Sequence, residues 1–199
     1  MTSDLAQPLA PLPTGFDGPI GVRMSDFSGD YMSHVEARLE EDYQQIADRI
    51  LAVLRSTDQL VQGFQLTQLA HGLQTATMAE RAGADIDMIV AALCHDMGKM
   101  ISNANHPAIA AEMIRPWVSE SACWVVEVHQ DFEGLHYYDR MGLDPMARRR
   151  HAGHPHYALA EQFADAWDQN AFDPSYPTYP LEHFEPTVRQ VFGRPPRRG

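Results

Sequence analysis

The run Met88 to Cys94 is the most apolar stretch of the chain, and it leads directly into a histidine and an aspartate, His95 and Asp96, followed by Met97-Gly98-Lys99. Ile86, Ile89, Val90 and Leu93 recur at helical spacing, with Asp85 placed to cap the helix and Gly98 to stop it. The pair therefore ends a buried helix. Burying one polar group without a partner costs roughly 2–7 kcal/mol, and an ion costs more. Two cations sharing the carboxylate satisfy both side chains, because its two oxygens can bridge metals roughly 3.5–4 Å apart. His95 then ligates one cation, and Asp96 bridges both as the central catalytic carboxylate.

A metal site in a helical bundle takes its ligands from facing helices. A long amphipathic helix is expected from Ser33 to Leu54, on Val35, Leu39, Tyr43, Ile46, Ile50 and Val53. A second, from about Gln65 to Ala82, carries His71 and is closed by Gly83. His106-Pro107 reads as an N-cap followed by a first-turn proline, opening a fourth helix toward Pro116. Ser119 caps a fifth, Glu120 to about Gln130, with His129 near its end. Asp144-Pro145 starts a short helix that breaks by Gly153, and another runs from Pro155 through Leu159, Phe163 and Trp167 to Asp168. The proline-rich stretch from Asp173 to Pro180 is irregular, and Leu181 to Phe192 forms a last helix. With no strand pattern and no repeat, the class is all-α. Residues 1–30 form an irregular arm rich in proline and glycine, 31–192 one domain, and 193–199 a basic Pro/Arg tail.

Composition limits the partners. A net charge of -12 disfavours nucleic acid and anionic membrane surfaces. No apolar run approaches the roughly 20 residues that span a bilayer. Cys94 and Cys123 lie in apolar stretches without CxxC spacing or a secretory signal ahead, which points to reduced thiols and a cytoplasmic location. Of the ten histidines, His34, His136, His151, His154, His156 and His183 are assigned surface or structural places, with His136 and the 151/154/156 cluster at a pocket rim.

The remaining set, in the order His71, His95-Asp96, His106, His129 and Asp168, is the ligand order of the HD superfamily, which it resembles over about residues 65 to 170. Asp165, one turn before Asp168, is the competitor for the last ligand, but Trp167-Asp168 looks like the aromatic-Asp pair that ends the family pattern. The resemblance implies an HD-domain helical bundle. Two classes of enzyme share these ligands. HD phosphohydrolases act on phosphate esters or nucleotides, whereas HD-domain mixed-valent diiron oxygenases use Fe(II)/Fe(III) and O₂. His71-Gly-Leu-Gln-Thr-Ala, with Thr67 four residues earlier, is similar to the oxygenases that cleave the C–P bond of 2-amino-1-hydroxyethylphosphonate or of 1-hydroxy-2-(trimethylammonio)ethylphosphonate. That likeness implies two Fe ions, a small 1-hydroxyphosphonate substrate and O₂. One iron would be held by His71, His95, Asp96 and Asp168, the other by Asp96, His106 and His129, with Lys99 as a cation for the phosphonate.

The chain departs from the aminophosphonate pattern at the substrate's cationic end. A tyrosine and a glutamate expected before the first histidine are Val61 and Phe64, and an arginine expected three residues before the last aspartate is Asp165. A primary ammonium needs acceptors, whereas a trimethylammonium has no donor and is best held by aromatic faces. Phe64, with Phe132, Tyr137, Tyr138 or Tyr31, is therefore expected to form an aromatic cage with Asp165 as counter-charge, giving glycine betaine and phosphate as products.

Overall fold

Residues 8–197 are described in the computed structural model, so the first seven residues of the arm and the last two of the tail lie outside the described part. Among these residues there are eight α-helices joined by short 3-10 turns, and no strand. The chain divides into two units at Gln44/Gln45. In the first, the arm is irregular apart from a 3-10 turn at Met24–Asp26, and helix α1 spans Gly29–Tyr43. Ser28 caps α1, its Oγ accepting from the Tyr31 N–H at 3.2 Å. Tyr31 packs edge-on against Phe16 and Phe27.

The single helix expected from Ser33 to Leu54 is two. Helix α1 ends at Tyr43, α2 spans Ile46–Ser56, and the unit boundary falls between them. The charge pattern explains the break. Glu40, Glu41 and Asp42 lie in the last turns of α1, where the negative end of the macrodipole repels them. Asp48 lies in the first turn of α2, where the dipole favours it. No residue of α1 is buried, so packing offers nothing to oppose the break, whereas α2 buries Ala47, Ile50, Leu51 and Leu54.

The second unit carries the core. Helix α3 spans Gln68–Arg81, capped by Thr67, and Gly83 beyond it takes a left-handed φ of 77°. Helix α4 spans Ile86–Cys94, capped by Asp85, and packs along α3. Helix α5, His106–Ile114, packs on α6, Glu120–Glu133, which Ser119 caps. Asn105 rather than His106 holds the cap position of α5, so His106 lies inside the helix. The helix expected after Asp144 is only a 3-10 turn, Ala147–His151, and the left-handed Gly153 follows it. Helix α7 covers Tyr157–Gln162, after which the chain widens into a π turn, Phe163–Trp167, and tightens to a 3-10 turn starting at Asp168. Helix α8, Leu181–Phe192, packs against α2 and α4. The basic tail is tied down rather than free: Arg194 donates to Asp87 at 2.6 Å and the Arg197 N–H to the Pro116 carbonyl at 2.9 Å.

Two glycines set how closely these helices meet. A Cβ on Gly72 would stand 2.8 Å from the Leu93 carbonyl, and one on Gly98 would stand 2.3 Å from the carbonyl of His106. Both neighbours are backbone, which cannot swing aside as a side chain can. Gly98 thus allows the turn after Asp96 to lie against the start of α5. Gly98→Ala is expected to destabilise the fold by about 1–3 kcal/mol, the usual cost of overpacking, read as a lower midpoint in urea denaturation; Gly29→Ala, with nothing within 4 Å of its Cβ, should be silent by the same measurement.

Candidate metal centre

All six side chains that the sequence singled out meet at one place in the second unit, and none is more than 4 % exposed. His71 comes from α3, His95 and Asp96 from the end of α4, His106 from the first turn of α5, His129 from the last turns of α6, and Asp168 from the end of the π turn. Each imidazole is held from behind by a backbone carbonyl. The Nδ1 atoms of His71, His95, His106 and His129 lie 3.0, 2.8, 2.9 and 2.7 Å from the carbonyls of Ala171, Ala92, Asn103 and Val126. A carbonyl only accepts, so Nδ1 carries the proton and Nε2 turns a lone pair inward. This is the outer-shell arrangement that orients metal-ligating histidines.

The inward atoms fall into two groups around one carboxylate. Asp96 Oδ2 lies 3.5 Å from His71 Nε2 and 3.4 Å from His95 Nε2, while Asp168 Oδ1 lies 3.0 and 3.3 Å from the same two nitrogens. Asp96 Oδ1 faces the other pair, at 3.1 Å from His106 Nε2 and 3.6 Å from His129 Nε2. Within each pair the Nε2 atoms approach to 3.2 and 3.3 Å. The ligand atoms of His71, His95 and Asp168 lie within 4.8 Å of one another, as do those of His95, Asp96 and His129.

Acceptors facing acceptors make no hydrogen bond, and Asp96 Oδ1 with both oxygens of Asp168 is buried without a partner. Burial opposes a charge on His95, but Asp96 and Asp168 outweigh it and hold that imidazole well above its usual pKa. Burial dominates at His129 and pushes it below. Against burial, His95 first, then His106 and His129, hold Asp96 well below the carboxylate range, and His95 and His71 do the same for Asp168. A single proton cannot satisfy four imidazoles and two carboxylates. Two metal cations fit the donor set, since such ligands bind in their deprotonated forms.

A cavity of about 1010 Å³ opens onto this cluster, with His71, His106 and Lys99 in its wall. Lys99 is no solvated helix-end lysine: its Nζ lies 2.5 Å from Asp96 Oδ2 and 3.3 Å from Gln68 Oε1, with the side chain 16 % exposed. Phe64 and Tyr137 line the cavity as expected, joined by Tyr138 and by Phe172, whose ring lies 5.1 Å from Phe64 and stacks on His71 at 4.5 Å.

Two expected substrate contacts fall elsewhere. Phe132 has no exposed surface; it lies in the core against Trp124, His151 and Tyr157, with the Arg148 guanidinium over its ring. Asp165 is already neutralised, accepting from both terminal nitrogens of Arg148 and from His136. Against the effect of burial, Arg148 and His136 hold its pKa below the usual range. The carboxylate that does line the cavity is Glu133, which has no hydrogen-bond or ion-pair partner among the described residues. Burial, with Asp168 and Asp96 nearby, pushes its pKa well up. Its place four residues after His129, on the same helical face, is a signal that Phe132, three residues after His129, shares. Arg148 carried none, being one of three consecutive arginines.

Nothing here crosses a bilayer as a helix: among the described residues no helix is long and apolar enough. No curated protein sequence matches the chain. The HD domain pattern matches residues 69–168, half of the chain, and spans all six clustered side chains. The chain belongs to the HD-domain family, whose members are generally metal-dependent enzymes.

Proposed function

We propose that the protein is an O₂-dependent diiron enzyme that cleaves the C–P bond of a 1-hydroxyphosphonate, with 1-hydroxy-2-(trimethylammonio)ethylphosphonate as substrate and glycine betaine and phosphate as products. The observation that carries the reading is the aromatic cavity wall with Lys99, set beside a ligand cluster that Asp96 divides in two. One position would be held by His71, His95, Asp168 and Asp96 Oδ2. The other would have only His106, His129 and Asp96 Oδ1. Two histidines and one carboxylate with open positions are the set associated with non-haem Fe(II) oxygenases. His106 lines the cavity, so those open positions are within reach of substrate. When bound, a pair of irons supplies O₂ activation and the one-electron chemistry that a phosphohydrolase does not need.

The chain's own residues bind and orient. Lys99 offers a cation at the cavity floor for a phosphonate oxygen. Phe64, Phe172 and Tyr137 offer aromatic faces for a quaternary ammonium, each contributing roughly 0.5–2 kcal/mol. Glu133, rather than Asp165, is the carboxyl group in this cavity, and a cation held beside it would oppose the burial that raises its pKa. A single carboxylate among aromatic rings suits a trimethylammonium, whose charge needs no hydrogen bond. A primary ammonium has three donors to satisfy on desolvation.

Three outcomes are expected. Asp96→Ala should lose both metals while Asp168→Ala loses chiefly the four-ligand position, read by metal analysis and by EPR of as-isolated and ascorbate-treated protein; a full dinuclear site in Asp96→Ala would sink the ligand assignment. Phosphate release from the hydroxyphosphonate should require O₂, whereas efficient anaerobic hydrolysis of a nucleoside monophosphate would establish a phosphohydrolase instead. In competition kinetics the trimethylammonio substrate should be preferred over its primary-amine analogue by about tenfold in kcat/KM, the equivalent of roughly 1.4 kcal/mol; equal use of both would remove the aromatic cage while leaving the diiron site intact.

A further inference from the structure

His136 is positioned by more protein than a rim residue requires. The 3-10 turn Gly134–His136 carries it from the end of α6 to the cavity wall, where its side chain is 26 % exposed. Its Nε2 lies 2.8 Å from Asp165 Oδ1. Asp165 is fixed in turn by Arg148, with Nη2 at 2.7 Å from Oδ1 and Nη1 at 3.0 Å from Oδ2. Arg148 is only 4 % exposed and also donates to the Phe132 carbonyl in the core and to Glu161. A second guanidinium, on Arg140, donates to the His136 carbonyl at 3.0 Å and fixes the backbone beneath the ring.

This chain of contacts determines the histidine's chemistry. With Arg148 donating to both of its oxygens, Asp165 is an ionised acceptor, so His136 donates its Nε2–H to it. Nδ1 is left with a lone pair and has no partner among the described residues. A carboxylate behind an imidazole selects the tautomer and stabilises the imidazolium once a proton arrives, which is what a general base needs. The fold does not depend on this histidine, because Arg148 and Asp165 already neutralise each other without it.

We propose that His136 is the base that takes the proton of the substrate's hydroxyl, with Asp165 and Arg148 as its positioning residues. The inference rests on the reading of the substrate as a hydroxyl-bearing molecule in this cavity. In the step, the substrate O–H bond breaks, its electron pair stays on the oxygen, and the proton bonds to Nδ1. The resulting imidazolium keeps its Nε2–H hydrogen bond to Asp165, and the proton at Nδ1 passes to solvent after product leaves. His71, His106 and Lys99 share the same cavity wall, so a hydroxyl directed at the His106 side of the metal cluster lies in the space that His136 borders.

The test uses the full-length, iron-loaded protein with the hydroxyphosphonate under O₂. His136→Ala should lower kcat by about 10²–10⁴-fold, the range for loss of a general base, with KM changed only a few fold and iron content equal to wild type. Added imidazole should restore part of the lost kcat, which a purely structural role would not allow. Asp165→Asn should also lower kcat with iron retained, because a side-chain amide that donates to Nε2 leaves Nδ1 protonated. Wild-type turnover with an unimpaired His136→Ala variant, or a loss confined to KM and insensitive to imidazole, would overturn the inference alone. Absence of wild-type turnover on any 1-hydroxyphosphonate would overturn the functional reading and this inference with it.

Discussion

The carboxylate of Asp96, shared between two pairs of inward-facing imidazoles, is the contact on which the rest of the structure depends. Its two oxygens face His71 with His95 and His106 with His129, and those four rings come from four different helices. Each ring is turned inward by a carbonyl at its Nδ1, in three cases a carbonyl three residues earlier in the chain. The fourth, His71, instead uses Ala171, just past Asp168. The end of the π turn is thereby tied to α3 at the point where its own aspartate enters the cluster. A set of buried acceptors in which Lys99 serves only Asp96 Oδ2, leaving Asp96 Oδ1 and both oxygens of Asp168 without a partner, is costly to assemble. Cations offset that cost, so metal binding and the closing of these helices are one event in free-energy terms.

The tight glycine contacts serve the same geometry. Gly98 brings the segment after Asp96 against the His106 backbone, and Gly72, one residue after His71, brings α3 against the last turn of α4. Larger side chains at either position would separate ligands that must lie within a few ångströms of a shared ion. The π turn has a related effect at the other end of the cluster. From one short stretch it presents Asp165 to Arg148 and His136 and Asp168 to His71 and His95. Two aspartates three residues apart thus work on separate sides of the same wall, consistent with the frequent occurrence of π segments at functional sites.

Much of this was legible because it is local. Asp85 and Ser119 cap the helices the sequence assigns to them, Gly83 adopts the left-handed conformation its place implies, and Leu181 to Phe192 is helical over that span. The ligands were legible because a histidine and an aspartate at the end of an apolar helix require partners, and the other histidines stand on faces that can supply them. What was not legible depends on tertiary detail. On α6, Phe132 and Glu133 flank the line through His129 at about −60° and +40°, by 100° per residue. Only the packing of Trp124, His151 and Tyr157 decides that Phe132 turns to the core and Glu133 to the cavity. Likewise a run of three arginines does not reveal that Arg148 alone is buried against Asp165. The break after Tyr43 was open to a reading of charge against the helix dipole, but the apolar period runs through it and masks it.

The charge of the molecule and the charge of its cavity point in opposite directions, and the difference bears on which substrates reach the site. A net charge of -12 repels anions at a distance, but at physiological salt that field decays over roughly 8 Å. Within the cavity two metal cations and Lys99 would outweigh Asp96, Asp168 and Glu133, so an anionic group is drawn to the floor. Glu133 and the aromatic rings stand in the same cavity and favour a cationic group. A dianion without a cation would meet repulsion from the body and from Glu133, and a simple cation would meet repulsion from the metals. A zwitterion carrying its negative charge on an oxyanion and its positive charge on a weakly hydrated ammonium is the charge class that meets neither.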